Sequence, residues 1–73
     1  MPKLPRVTSK KLVAALLRAG FVIQRQRGSH IQLKHADGRR TVIARHAGDI
    51  PLGTLNGILS DLRIGVEGLK KLL

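Results

Sequence analysis

The sequence predicts an α+β domain in the order helix, three antiparallel strands, helix, with a short helical tail. Three observations carry that prediction. Leu12, Val13, Leu16 and Leu17 recur at the spacing of one helix face. Three short β-prone runs follow, bounded by turn residues. A second helical stripe, Leu52, Leu55, Ile58, Leu59 and Leu62, comes after Pro51. The simplest packing lays both helices on one face of the sheet and leaves the other face open.

Residues 1–7 hold Pro2, Lys3, Pro5 and Arg6 and read as an extended lead-in. Thr8 or Ser9 then supplies the side-chain oxygen that caps the first helix, and Gly20 ends it in a left-handed conformation. Strands are expected over Phe21–Arg25, Ser29–His35 and Arg40–Arg45. The second helix begins near Pro51, a residue suited to a first helical turn. Gly53 and Gly57 inside it each cost roughly 1 kcal/mol relative to Ala. Close packing against the sheet or a partner would explain them. Val66 to Leu73, with Lys70 and Lys71, forms the amphipathic tail, and nothing in 1–73 suggests a second domain.

Register decides which side chains meet. Asp37-Gly38 suits a two-residue type I′ turn. That turn pairs His35 with Arg40, Leu33 with Val42, Ile31 with Ala44 and His30 with Arg45. Ile31, Leu33, Val42 and Ala44 then share the buried face. His30, Gln32 and Lys34 lie opposite, with Thr41, Ile43 and Arg45. For the first hairpin, a three-residue loop of Gln26, Arg27 and Gly28 pairs Gln24 with His30 and Ile23 with Ile31, which buries Phe21 and Ile23. A two-residue loop would expose both, so the longer loop is expected.

Composition restricts what such a domain does. Fourteen Lys and Arg against four Asp and Glu give a net charge of +10, and the positives run from Lys3 to Lys71. That spread suits a folded phosphate-binding surface better than a disordered arm. A chain this short buries only about 60% of its unfolded surface, so chemistry must come from a few side chains on a shallow face. The absence of Cys excludes disulfides and thiolate metal sites. The apolar run that begins at Leu12 is too short to span a membrane, and the N-terminus has no apolar segment of signal length, so cytoplasm is the expected compartment. Phe21 is the only aromatic residue, which argues against stacking several unpaired bases. Contacts should go mainly to phosphate and ribose.

The predicted register gathers Gln24, His30, Gln32, Lys34 and Arg45 on the open face. RNA is cut without a metal when a group that titrates near neutrality takes the 2′-hydroxyl proton and cations stabilise charge developing on the phosphate. His30 suits the first role, and Arg45 or Lys34 the second. Arg25, Arg27, Arg39 and Arg40 cluster at the hairpin ends, where they would grip flanking phosphates; cations there also protect sheet edges from aggregation. Lys10 and Lys11 are expected to add RNA contacts from the first helix. Ser29 faces away from His30 in a regular strand, which opposes a Ser-His nucleophilic pair; closing the turn is its expected role. His35 and His46 point to the core side at strand ends, and three His without a carboxylate cluster make a poor metal site.

Gly28-Ser29-His30 at a strand start, His35-Ala36-Asp37-Gly38-Arg39 in the next turn, His46, and Gly53-Thr54-Leu55 with Ile58-Leu59 form an ordered set from Leu12 to about Leu72. This set resembles the HicA, or YcfA-like, family of small messenger-RNA-cleaving toxins. The resemblance implies a fold like a double-stranded-RNA-binding domain and an endoribonuclease in which His30 is catalytic. It also implies a HicB-like antitoxin over the active face, no cofactor, and a monomer alone or within a toxin–antitoxin hetero-oligomer. Family members often carry Pro where Ala44 stands and an aromatic residue after Gly-Ser-His. A non-catalytic RNA-binding module is the alternative reading of the same surface. A DNA-binding accessory protein is the weaker third, because neither helix shows a cationic recognition face.

Overall fold

A computed structural model describes residues 3–45 and 47–73. Its elements are α1 (Ser9–Arg18), β1 (Val22–Arg27), β2 (His30–Lys34), β3 (Arg40–Ala44), α2 (Leu52–Leu62) and α3 (Val66–Leu72). The strands form one antiparallel sheet in the order β1-β2-β3. The α+β architecture read from periodicity is therefore the one observed, and the tail is a true helix.

Local chemistry sets the ends of α1. Thr8 is extended, and its Oγ1 accepts the Lys11 N–H at 3.1 Å, satisfying a donor that has no partner inside the helix. At the other end the Phe21 N–H donates to Leu16 O at 3.0 Å and the Gly20 N–H to Leu17 O at 3.1 Å. This is the paired bonding of a Schellman ending, with Gly20 left-handed at φ +97°. A Cβ on Gly20 would also lie 3.1 Å from His35 Nε2, a contact the His35 ring would have to yield to by a few tenths of an ångström.

That ending delivers Phe21 into the core beside Leu12, Leu16, Leu33 and Ile43, all of them buried. The His35 ring meets Phe21 edge-on, with centroids 5.0 Å apart, and the Arg39 guanidinium lies 5.2 Å from the ring centre. Arg39 also donates to Asp37 Oδ2 and to Leu62 O, both at 2.8 Å. One guanidinium thereby ties the β2–β3 turn to the end of α2.

Both hairpins differ from the sequence expectation, for local reasons. The second closes through a three-residue loop, with the His35 N–H donating to Arg39 O at 2.8 Å and the Gly38 N–H to His35 O at 2.9 Å. A type I′ turn needs positive φ at Asp37, yet Arg63 is the sole non-glycine with positive φ among the described residues. Gly38 alone takes the left-handed position, at φ +98°. His30 consequently faces Ala44, Gln32 faces Val42 and Ile31 faces Ile43. Ile43 is buried, while Val42 and Ala44 are exposed, which reverses the predicted faces of β3.

The first hairpin turns on Gly28-Ser29, with Gly28 at φ +58°, the two-residue loop that the sequence reading rejected. Its objection, that such a loop exposes Phe21, is met by a β-bulge. Arg27 faces His30, Gln26 faces Ile31 and Arg25 faces Gln32; the register then shifts at Gln24 so that Ile23 faces Leu33. Phe21 stays buried. The expected pairs Gln24–His30 and Ile23–Ile31 do not form.

Pro51 precedes α2 instead of sitting in its first turn. Ideal Cβ atoms on Gly53 and Gly57 would meet nothing within 4 Å, so packing against the sheet does not explain them. Val7, placed in the lead-in, is buried and accepts the Ile50 N–H at 2.8 Å.

Candidate functional site

The sheet is asymmetric. Ile31, Leu33 and Ile43 point into the core, whereas the alternate residues of β2 and β3, His30, Gln32, Lys34, Arg40, Val42 and Ala44, are exposed. On β1 the bulge and the two-residue turn place Arg25 and Arg27 opposite Gln32 and His30. Among the described residues the open face thus carries one histidine and four cations, Arg25, Arg27, Lys34 and Arg40. None of the chain's four carboxylates lies on a strand.

These cations form two groups. Arg25, Arg27, His30 and Gln32 line a shallow depression of about 150 Å³. Lys34 faces Arg40 at the far end of β2. At about 3.3 Å of rise per residue it lies roughly 13 Å along the strand from His30. Gln24, Gln32, Arg40 and Val42 line a second depression between the two groups. A chain of phosphates laid across this face would meet cations at both ends and His30 beside Arg27.

Four of the five residues predicted to share the open face, Gln24, His30, Gln32 and Lys34, border it. Arg45 does not. Its N–H donates to Ser29 O at 2.6 Å, one step beyond the His30–Ala44 pair, and its side chain borders a cavity on the helix side of the sheet. The longer β2–β3 loop is the cause, since a one-residue change of register moves every β3 side chain to the opposite face. Arg25 and Arg27, expected only as flanking grips, take its place beside His30. Gly28-Ser29 read as a two-residue turn would have found them.

The remaining positions divide clearly. Arg39 is engaged with Asp37, Leu62 O and Phe21, away from the His30 depression. Lys10 and Lys11 are exposed on α1, with Lys10 beside the helix-side cavity. Ser29 contributes its carbonyl to Arg45, not a hydroxyl to the turn. His46 lies outside the described residues. Among those described, no three His, Asp or Glu side chains gather in a way that could hold a metal ion.

His35 belongs to a separate cluster. Its Nδ1 lies 3.1 Å from both the Asp37 N–H, which it accepts when neutral, and Asp37 Oδ1, which it would pair with when protonated. The Asp37 carboxyl is held below its ordinary value, chiefly by the Arg39 N–H; desolvation opposes this, and the Arg39 guanidinium and His35 assist. With Phe21 and the Leu62 carbonyl as its anchors, this cluster is architectural.

A strongly basic αβββα fold with one histidine among arginines on an open sheet defines a class of small, polyanion-facing α+β proteins. No curated protein matches the chain. The family model of the HicA toxin of bacterial toxin-antitoxin systems matches residues 9–64, and the chain belongs to the HicA toxin family. Membership implies an antitoxin partner. No helix among the described residues is long and apolar enough to cross a membrane.

Proposed function

We propose that this chain is the toxin of a type II system, an endoribonuclease that cleaves messenger RNA in the cytoplasm on the open face of its sheet. A HicB-like antitoxin is proposed to silence it. The observation that carries this reading is the cross-strand pair of His30 and Arg27, with Arg25 and Gln32 beside it, on a face without carboxylates. His30 takes the 2′-hydroxyl proton, and the 2′-oxygen attacks the adjacent phosphorus. The bond to the 5′-oxygen breaks, and that oxygen leaves with a proton returned by the imidazolium or by water. Arg27 and Arg25 stabilise the charge that builds on the phosphate oxygens. The products are a 2′,3′-cyclic phosphate and a 5′-hydroxyl.

One observation favours a second reading. His30 is the sole histidine on that face among the described residues, and a binding module would need no more than the cations. Incubating the chain with labelled RNA in EDTA separates the two readings. Cleavage with cyclic-phosphate ends is expected. Salt-sensitive binding without cleavage at any concentration would establish the binding module instead.

A further inference from the structure

On the helix side of the sheet, around the β1 edge from His30, a cavity of about 630 Å³ opens between α1 and the β1–β2 hairpin. That size falls within the roughly 300–1,000 Å³ of small-molecule sites. Its floor is aliphatic, made of Val13, Ile23 and Ile31. Ile23 faces Leu33 and so lies on the core side, yet 45% of it remains exposed. It is an inward apolar residue that the fold leaves uncovered.

The rim has the opposite character. Lys10 and Arg45 border it, together with the first turn of α1, which contains no acidic residue. Thr8 Oγ1 already takes the Lys11 N–H, while the N–H groups of Ser9 and Lys10 lack partners inside the helix and favour an anion. Among the described residues no carboxylate lines the cavity. Ser9 lines it too, and the residue is only 4% exposed.

We infer that this cavity binds one unpaired nucleotide of an RNA strand. The phosphate sits at Lys10, Arg45 and the start of α1, and the base lies on Val13, Ile23 and Ile31 with the Gln26 amide at its edge. An aliphatic slot beside converging cations matches a base joined to a phosphate, which neither an inorganic anion nor a purely apolar ligand does. Position supports the same ligand. Gln26 on the cavity side lies between Arg25 and Arg27 on the open side, so a strand crossing the His30 depression reaches the cavity by passing over one edge strand. This continuity rests on the proposed RNA track, although nucleotide binding itself requires no cleavage.

The test is a titration of the full ¹⁵N-labelled chain with adenosine and uridine 5′-monophosphates, inorganic phosphate, and an acidic peptide containing leucine. Amide shifts are expected at Ser9, Lys10, Gln26, Ile31 and Gly48, at lower concentration for the nucleotides than for phosphate. Replacing both Lys10 and Arg45 by Ala should weaken nucleotide binding by about tenfold or more, the scale of lost charge-assisted hydrogen bonds. Ile23→Glu, at a half-exposed position, should abolish it while the spectrum stays that of a folded chain. The inference is overturned if shifts stay on the open face, if phosphate matches the nucleotides, or if only the peptide binds. A His30→Ala chain should bind nucleotides here normally, so loss of the cleavage reading and loss of this site give different results.

Discussion

Three residues, Arg27, Lys34 and Asp37, show how a side chain's role here depends on its immediate neighbours. Arg27 faces His30 directly, while Lys34 lies further along β2, so their predicted contributions to cleavage are unequal. Arg27→Ala is expected to lower single-turnover cleavage by about 10–100-fold, less than the largest losses seen for enclosed oxyanion donors because this face is open to water. Lys34→Ala should act mainly on RNA affinity; equal rate losses for the two would contradict the assignment. Asp37 is predicted to matter for stability instead. Its folded pKa is below the ordinary value, so its contribution is complete above that value and is lost as pH falls through the lowered folded one. In denaturant unfolding from pH 7 to pH 2, Asp37→Asn should flatten the acid limb, with the parent and variant curves converging at the lowest pH.

At the scale of elements, α2 has two features that its own packing does not require. Gly57 has open space where a Cβ would stand, and Arg63 ends the helix left-handed at φ 55°. Gly57→Ala should stabilise the fold by about 0.5–1 kcal/mol through helix propensity. Arg63→Gly should do so by a similar amount, about 0.5–1 kcal/mol, by relieving a side chain from the left-handed region. Midpoints of urea unfolding at unchanged slope check both. The helices were legible in the sequence because an apolar stripe of period 3.6 tolerates errors of a residue or two. The sheet was legible as three strands but not in register. Side-chain bonds among His35, Asp37 and Arg39 hold the three-residue loop that overrides the Asp37-Gly38 signal. The bulge at Gln24 leaves no mark in a pattern of alternation. Each event moves side chains between faces, so His30, Gln24, Gln32 and Lys34 were placed where they stand, while Arg45 was exchanged for Arg25 and Arg27.

For the whole molecule, a charge of +10 is now resolved into regions. Arg25, Arg27, Lys34 and Arg40 line the open sheet, Lys10 and Arg45 border the helix-side cavity, and Arg39 is committed to the fold. Charge of this kind supports binding to any polyanion; cleavage requires a group that moves a proton, and in the reaction proposed above that role is assigned to His30. The most direct test is cleavage of a labelled RNA in EDTA by the parent and by His30→Ala, with folding of the variant verified by circular dichroism. The account predicts a folded variant that still binds RNA and cleaves it about 10²–10⁴-fold more slowly, the usual scale for loss of a general acid or base. A folded variant that cuts as fast as the parent would contradict it.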